Sequence, residues 1–215
     1  MLVRERMTRN PVLCPPDLPV NDAFDLMKKE RIRRMPVVDK NGRLVGIVSD
    51  KDLLRVSPSP ATTLSAYEIP YLLSKVKVGD VMTKQVITVS EDTPIEDAAR
   101  IMADNKIGGL PVVNESHAVA GIITETDIFK TFLELLGARR PGVRITMYVK
   151  NMGGELARVA QAVAGVGGDI VASVEMPGTD STNYEVLLKV RDAPKEAIVE
   201  VLKPIAVRIV DVREG

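Results

Sequence analysis

The sequence predicts an α+β protein of three modules: two copies of one unit, then a smaller βαββαβ unit. Three observations carry this. The chain repeats itself at a shift of 75 residues. Each copy runs through the same order of apolar, turn and helical segments. After Arg139-Arg140-Pro141-Gly142 that order stops and a different one begins.

The repeat is gapless over 7–53 and 82–128, with 14 identities in 47 pairs, where average residue usage would give roughly three. It lays Met7-Thr8 on Met82-Thr83, Pro19 on Pro94, Ala23 on Ala98, Met27 on Met102 and Ile32 on Ile107. It also lays Pro36-Val37-Val38 on Pro111-Val112-Val113, Gly46-Ile47 on Gly121-Ile122, and Asp52 on Asp127. Duplicated units of this size commonly pack face to face because neither buries its core alone.

Within each copy a short extended segment (12–14, 87–89) follows the Met-Thr pair. An Asp-x-Pro turn then leads to a helix near 21–31 and 96–106, with Ala23, Phe24 and Met27 at helical spacing. Strands follow at 35–38 and 44–48, joined by Asp39-Lys40-Asn41-Gly42; Asn-Gly between apolar runs is a hairpin signal. A second helix begins at Ser49 or Thr124. In the second copy it continues through Ile128, Phe129, Phe132, Leu133 and Leu136 until Gly137 and Pro141 stop it. The first module spans 1–56, a Ser/Pro/Thr-rich linker 57–74, the second module 75–138 and the third 142–215.

In the third module, strands at 144–149, 170–175, 184–190 and 207–212 alternate with helices at 155–165 and 194–202. The order βαββαβ is the ferredoxin-like arrangement. Gly165-Val166-Gly167-Gly168 closes a helix and precedes a strand, so it is a helix C-cap rather than a dinucleotide fingerprint.

Composition excludes several function classes. Lys+Arg and Asp+Glu are both 29 over 215 residues, so no global positive field exists to hold a nucleic-acid backbone. Residues 142–215 carry 9 basic and 10 acidic side chains, so no basic tail is concealed there. Cys14 is the only cysteine and His117 the only histidine. A disulfide framework, a cysteine-built cluster and a two-His metal site within one chain are thereby excluded. No apolar run of about 18 residues occurs and the N-terminus has no apolar signal region, so a cytoplasmic, membrane-free protein is expected. No Ser-His-Asp set, catalytic carboxylate pair or Walker lysine loop stands out, and no enzyme activity is expected. Cys14 reads as a small buried hydrophobe, His117 as an exposed turn residue, and Arg31-Ile32-Arg33-Arg34 as a solvated helix end from which Arg34 has the best claim on a phosphate.

The chemistry-bearing motif is Gly46-Ile47-Val48-Ser49-Asp50-Lys51-Asp52, echoed by Gly121-Ile122-Ile123-Thr124-Glu125-Thr126-Asp127. A strand ends, a hydroxyl residue stands at a helix N-cap, and a carboxylate follows three residues on. A phosphate can bind the unpaired N–H groups and positive dipole end there, with Ser49 or Thr124 donating a further bond. Asp52 or Asp127 can accept both hydroxyls of a ribose. The same spacing also fits a capping box that only stabilises the helix, and one residue can do both.

Met-Thr, Pro-Val-Val-(Asp/Asn) and Gly-h-h-(Ser/Thr)-x-x-Asp, occurring twice over about 7–136, resemble a tandem pair of cystathionine-β-synthase (CBS) domains. The resemblance implies a pseudo-symmetric pair that binds adenine nucleotides (AMP, ADP or ATP, in some members S-adenosylmethionine) in clefts between the copies, Mg²⁺ being an option only where the ligand is ATP. It implies ribose-binding roles for Asp52 and Asp127, phosphate-proximal hydroxyls at Ser49 and Thr124, cleft positions for Thr8 and Thr83, and basic nucleotide contacts from Arg34 and Lys51. Gly109 stands opposite Arg34 in the repeat, so unequal clefts are expected.

Residues 142–215 resemble an ACT domain, a βαββαβ regulatory module often tuned to amino acids. Its ligand loop is commonly Asp-x-Pro-Gly; Asn151-Met152-Gly153-Gly154 stands there, which makes Asn151, Gly153, Gly154, Glu155 and Leu156 candidate amino-acid contacts. The order CBS–CBS–ACT is similar to the acetoin-utilisation regulatory family. The implied function is a non-catalytic, energy-sensing regulator that binds adenine nucleotide, forms a homodimer and signals to an unidentified target protein. The alternative is a self-association scaffold with vestigial clefts.

Overall fold

The computed structural model describes residues 1–56 and 75–215; the expected linker, 57–74, lies outside the described residues. The chain divides into two compact units, Met1–Ile128 and Phe129–Gly215.

In the first unit the two copies fold alike. The first contains β1 (Thr8–Arg9), α1 (Val20–Glu30), β2 (Arg34–Val38), β3 (Leu44–Ser49) and α2 (Asp50–Val56). The second contains α3 (Val78–Val81), α4 (Ile95–Asn105), β4 (Gly109–Val113), β5 (Val119–Thr124) and α5 (Glu125–Leu135), which runs across the division between units. Helix α1 buries Val20, Ala23 and Met27, and α4 buries Ile95, Ala98 and Met102, one apolar stripe at helical period in each copy. Both helices end on a left-handed residue that is not glycine: Arg31 (φ 54°) and Lys106 (φ 53°). The hairpin tips match as well, with Gly42 at φ 75° and His117 at φ 60°. His117 is exposed, and burial pushes the Cys14 thiol up to about 11.

The sequence pattern does not reveal that each copy gives its leading arm to the other. Val3 and Met7 are buried in the core of the second copy with Val89, Ala98, Met102 and Leu110. Reciprocally, Val78 is buried in the core of the first with Cys14, Ala23, Met27 and Val48. Backbone bonds repeat the exchange at the same shift. Val3 N donates to Thr93 O (2.9 Å) and Arg4 N to Glu91 O (3.0 Å), as Val78 N does to Leu18 O (2.9 Å) and Gly79 N to Pro16 O (2.8 Å). The Met-Thr pairs follow: Thr8 pairs with Ile122 and Thr83 with Ile47, each antiparallel. Arg4 pairs with Asp92, and Arg9 lies 3.2 Å from Glu91. The hairpins themselves meet at Arg43 and Ala118, equivalent positions that mark the pseudo-twofold axis.

This exchange explains two of the repeated glycines. A Cβ on Gly46 would fall on the Met82 side chain, and one on Gly121 on Met7 Sδ and, at 2.9 Å, on the Thr8 carbonyl oxygen. Each Met-Thr arm therefore lies flat against the bare backbone of the other copy's strand.

The second unit contains β6 (Val143–Lys150), α6 (Glu155–Gly165), β7 (Asp169–Pro177), β8 (Asn183–Arg191), α7 (Lys195–Leu202) and β9 (Arg208–Glu214). Its antiparallel sheet has the order β7-β8-β6-β9, so the expected βαββαβ elements have the ferredoxin-like strand order. Alternate residues Val143, Ile145, Met147 and Val149 share a core with Val186, Leu188, Val159, Val163, Ile198 and Leu202. Gly167 (φ 78°) closes α6, with Gly168 N donating to Val163 O at 3.0 Å, the C-cap read from the sequence.

The packing of the arms predicts unequal effects from two equivalent substitutions. Gly121→Ala presses on a backbone oxygen, whereas Gly46→Ala meets a flexible thioether that can turn aside. Urea unfolding should show Gly121→Ala destabilised by about 1–3 kcal/mol and Gly46→Ala by clearly less; equal losses would contradict the packing account.

Candidate functional site

Two cavities of about 420 and 480 Å³ occupy the first unit, a size suited to a small organic ligand. Their walls are the same at a shift of 75. Every residue lining the larger has its counterpart in the smaller, which adds only Arg34 and Arg55. The smaller cleft joins Ser49, Lys51 and Asp52 of the first copy to Thr83, Gln85 and Lys106 of the second. The larger joins Thr124 and Asp127 of the second to Thr8, Asn10 and Arg31 of the first. Each cleft is thus composite, and the arm exchange is the reason: Thr83 reaches the first copy's motif because it pairs with Ile47.

The motif residues are held by a full capping box in the first copy. Asp52 Oδ2 accepts from Ser49 N (2.9 Å) and Ser49 Oγ (2.6 Å), and Asp52 N donates to Ser49 Oγ (3.3 Å). Asp127 Oδ2 accepts from Thr124 N (2.9 Å) and Oγ1 (2.7 Å). The capping reading is therefore realised. A carboxylate has about four lone-pair sites, and the cap uses two on one oxygen of Asp52. Oδ1 remains at the cleft, with Arg55 Nη1 at 3.9 Å. The hydroxyl hydrogens of Ser49 and Thr124 point to their own carboxylates, so either side chain must turn before it donates to a phosphate.

Each wall supplies aliphatic surface on which a planar base can lie: Ile47, Val86 and Ile107 in one cleft, Pro11, Val12, Ile32 and Ile122 in the other. Basic groups edge both. Arg34, Lys51, Arg55 and Lys106 line the smaller cleft, and Arg31, Arg33 and Arg34 the larger. The sequence placed Arg31 and Arg33 at a solvated helix end; instead the left-handed turn at Arg31 brings them to a cleft. The available sign was Lys106, a second basic residue at the equivalent position. Arg34 also departs from expectation, because it lines both clefts rather than distinguishing them. Its side chain lies over Gly108 and Gly109, where a Cβ on Gly108 would collide with the guanidinium and sit 2.6 Å from Glu125 Oε2.

In the second unit a shallower cavity of about 790 Å³ is lined by Asn151, Gly153, Gly154 and Leu156, together with Glu175 and Tyr184. Glu155 does not line it: the side chain is 1 % exposed, and Oε1 accepts from Arg158 Nη1 at 2.7 Å. Helix α6 starts there, and the first residue of a helix is turned inward while the glycines before it face the cavity. Burial and the nearby carboxylates of Glu175 and Glu155 raise the Tyr184 phenol above its ordinary value. Sequence reasoning missed Glu175 and Tyr184 because they come from the β7–β8 hairpin, distant in the chain. Among the described residues no group of three or more His, Cys, Asp and Glu is placed to hold a metal, and no helix is long and apolar enough to cross a membrane.

Comparison with known proteins agrees with this geometry. The chain is 32 % identical over 155 residues to protein MJ1426 of Methanocaldococcus jannaschii, covering 62 % of this chain and 92 % of that one. The structure of CBSX2 in complex with AMP matches with 34 % identity and a TM-score of 0.52, over 65 % of this chain and 98 % of that chain; CBSX2 is a chloroplastic protein of Arabidopsis thaliana. A Vibrio cholerae structure described as an acetoin utilization protein (AcuB) matches with 34 % identity and a TM-score of 0.53, over 65 % of this chain and 95 % of that one. The similarity also extends to 23 % of the length of an inosine-5'-monophosphate dehydrogenase from Aquifex aeolicus, at 35 % identity, so the shared module also occurs inside a much longer chain named as an enzyme. The CBS domain family matches residues 3–59 and 78–134: the chain belongs to the CBS domain family, with two copies of the domain in tandem.

Proposed function

We propose that this protein is a non-catalytic regulator whose CBS pair binds adenine nucleotides of the AMP, ADP or ATP class and passes the bound state to a target protein. The observation that carries the reading is the doubled composite cleft. A ribose-competent carboxylate, the partner copy's threonine, aliphatic walls and one cationic position, Arg31 or Lys106, recur together at one shift. Asp52 and Asp127 take the ribose hydroxyls, Thr83 and Thr8 face them across the cleft, and Arg34 and Lys51 balance phosphate charge. The AMP complex of CBSX2, and the CBS pair of protein MJ0100 in complex with 5-methylthioadenosine and S-adenosyl-L-methionine at 29 % identity, support an adenosine ligand. To regulate, the nucleotide must bind one arrangement of the protein better than another, since equal affinity shifts nothing.

The second unit is read as an ACT domain on its strand order and its glycine-containing loop over a cavity, serving dimerisation or a second small ligand such as an amino acid. Asn151, Gly153, Gly154 and Leu156 are its contacts, while Glu155 is buried and paired with Arg158. A homodimer is favoured by one face of α5, where Phe129 is 67 % and Phe132 55 % exposed beside the exposed Leu133. Such a row of apolar side chains needs a covering surface.

Calorimetric titration with AMP, ADP and ATP tests the nucleotide reading. Asp52→Asn and Asp127→Asn keep an oxygen for each cap while losing charge, and each should weaken its own cleft by about 10–100-fold, the cost of a charged hydrogen bond. Unchanged binding in the double variant would defeat the assignment, and absence of binding by the wild type would favour the scaffold alternative. Light scattering should give twice the chain mass of 23.4 kDa, falling toward one chain in Phe132→Glu; a monomeric wild type would contradict the dimer.

A further inference from the structure

We infer that the two clefts are coupled through one shared side chain, Arg34, so that an anionic ligand in one cleft weakens binding of an anionic ligand in the other. The inference rests on the nucleotide reading above and adds to it a rule for how the sites communicate.

Arg34 is the one residue common to both cleft walls. It stands at the start of β2, and its equivalent at the start of β4 is Gly109. Gly109 lines the smaller cleft only, whereas Arg34 lines both. A Cβ on Gly109 would sit 3.3 Å from Arg34 Cδ and 3.5 Å from Thr124 Cγ2. Two bulky cations cannot share this space, and the pair Gly108-Gly109 leaves it to a single arginine. This space therefore holds one guanidinium where twofold symmetry would supply two.

That guanidinium has the Glu125 carboxylate as a neighbour, since Nη2 and Glu125 Oε2 both lie within 2.6 Å of the point where a Cβ on Gly108 would stand, but it is not hydrogen-bonded to it. Arg34 is half-buried, and among the described residues it makes no side-chain hydrogen bond or ion pair. A partly desolvated cation with no hydrogen-bonded acceptor attracts an anion. A nucleoside monophosphate carries more than one negative charge near neutral pH, and Arg34 supplies one positive charge. The first phosphate to arrive satisfies the guanidinium. The second meets a cation already neutralised and a like charge in the cleft that shares it, two effects of the same sign. A neutral nucleoside engages neither effect. By linkage the coupling is reciprocal, whichever cleft fills first.

The experiment compares AMP with adenosine on the full chain by calorimetry. For each ligand, the two-site constants of the wild type are set against the single-site constants of Asp52→Ala and Asp127→Ala. For AMP, the product of the two wild-type dissociation constants should exceed the product of the isolated sites by at least about fivefold, the lower end of ordinary coupling. For adenosine the two products should agree. In the Arg34→Ala background the AMP excess should shrink, and both clefts should weaken by a larger factor for AMP than for adenosine. Agreement of the products for AMP, an equal excess for adenosine, or an AMP excess unchanged by Arg34→Ala each overturns the coupling and leaves the nucleotide reading standing. Failure of the wild type to bind either ligand overturns the nucleotide reading and the coupling with it. The wild-type adenosine arm decides the matter even where Arg34→Ala does not fold.

Discussion

The reciprocal pairing of Thr8 with Ile122 and of Thr83 with Ile47 is the constraint on which the site depends. Each pairing draws a leading arm out of its own copy and lays it on the other's central strand. It buries Val3 and Val78 in foreign cores, requires bare backbone at Gly46 and Gly121, and delivers a threonine to the opposite copy's Ser/Thr-x-x-Asp motif. Neither copy owns a complete cleft or a complete core. Folding of the pair and assembly of the sites are then one event, and a ligand that bridges a cleft stabilises the association of the copies through mass action on the folded state.

The capping box and a ligand site need not compete. In both copies one carboxylate oxygen is spent on the N-cap, which fixes the side chain's rotamer, and both aspartates line a cleft. A carboxylate held in this way has already given up the freedom that binding would otherwise remove. The repeated aspartate is thus legible as a structural residue, and in the proposed function the same geometry preorganises it as an acceptor.

Much of this was readable in the chain. The repeat at 75 residues located both hairpins, both helix starts and the equivalent cleft residues, because identities at Pro36-Val37-Val38 and Gly46-Ile47 mark buried strands. The βαββαβ order and the helix over 155–165 followed from alternation and glycine punctuation. What the sequence did not disclose depends on long-range pairing. Nothing local in Met7-Thr8 says that its strand partner lies more than a hundred residues away. Arg31 looks like a helix-end cation until the left-handed turn re-aims it. Arg34 reads as one cleft's property until Gly108-Gly109 is seen to make room for it. Glu155 was misjudged for a related reason: a glycine loop locates a cavity, but the first turn of the helix decides which side chains face it.

The most direct test of the central claim is a crystal structure of the full chain grown with AMP. The account predicts adenosine between the two copies, its ribose hydroxyls on the cleft-side oxygens of Asp52 and Asp127, and its base against Ile47 and Ile107 or Ile32 and Ile122. Both clefts empty at saturating AMP, or AMP held by residues of one copy alone, would contradict it.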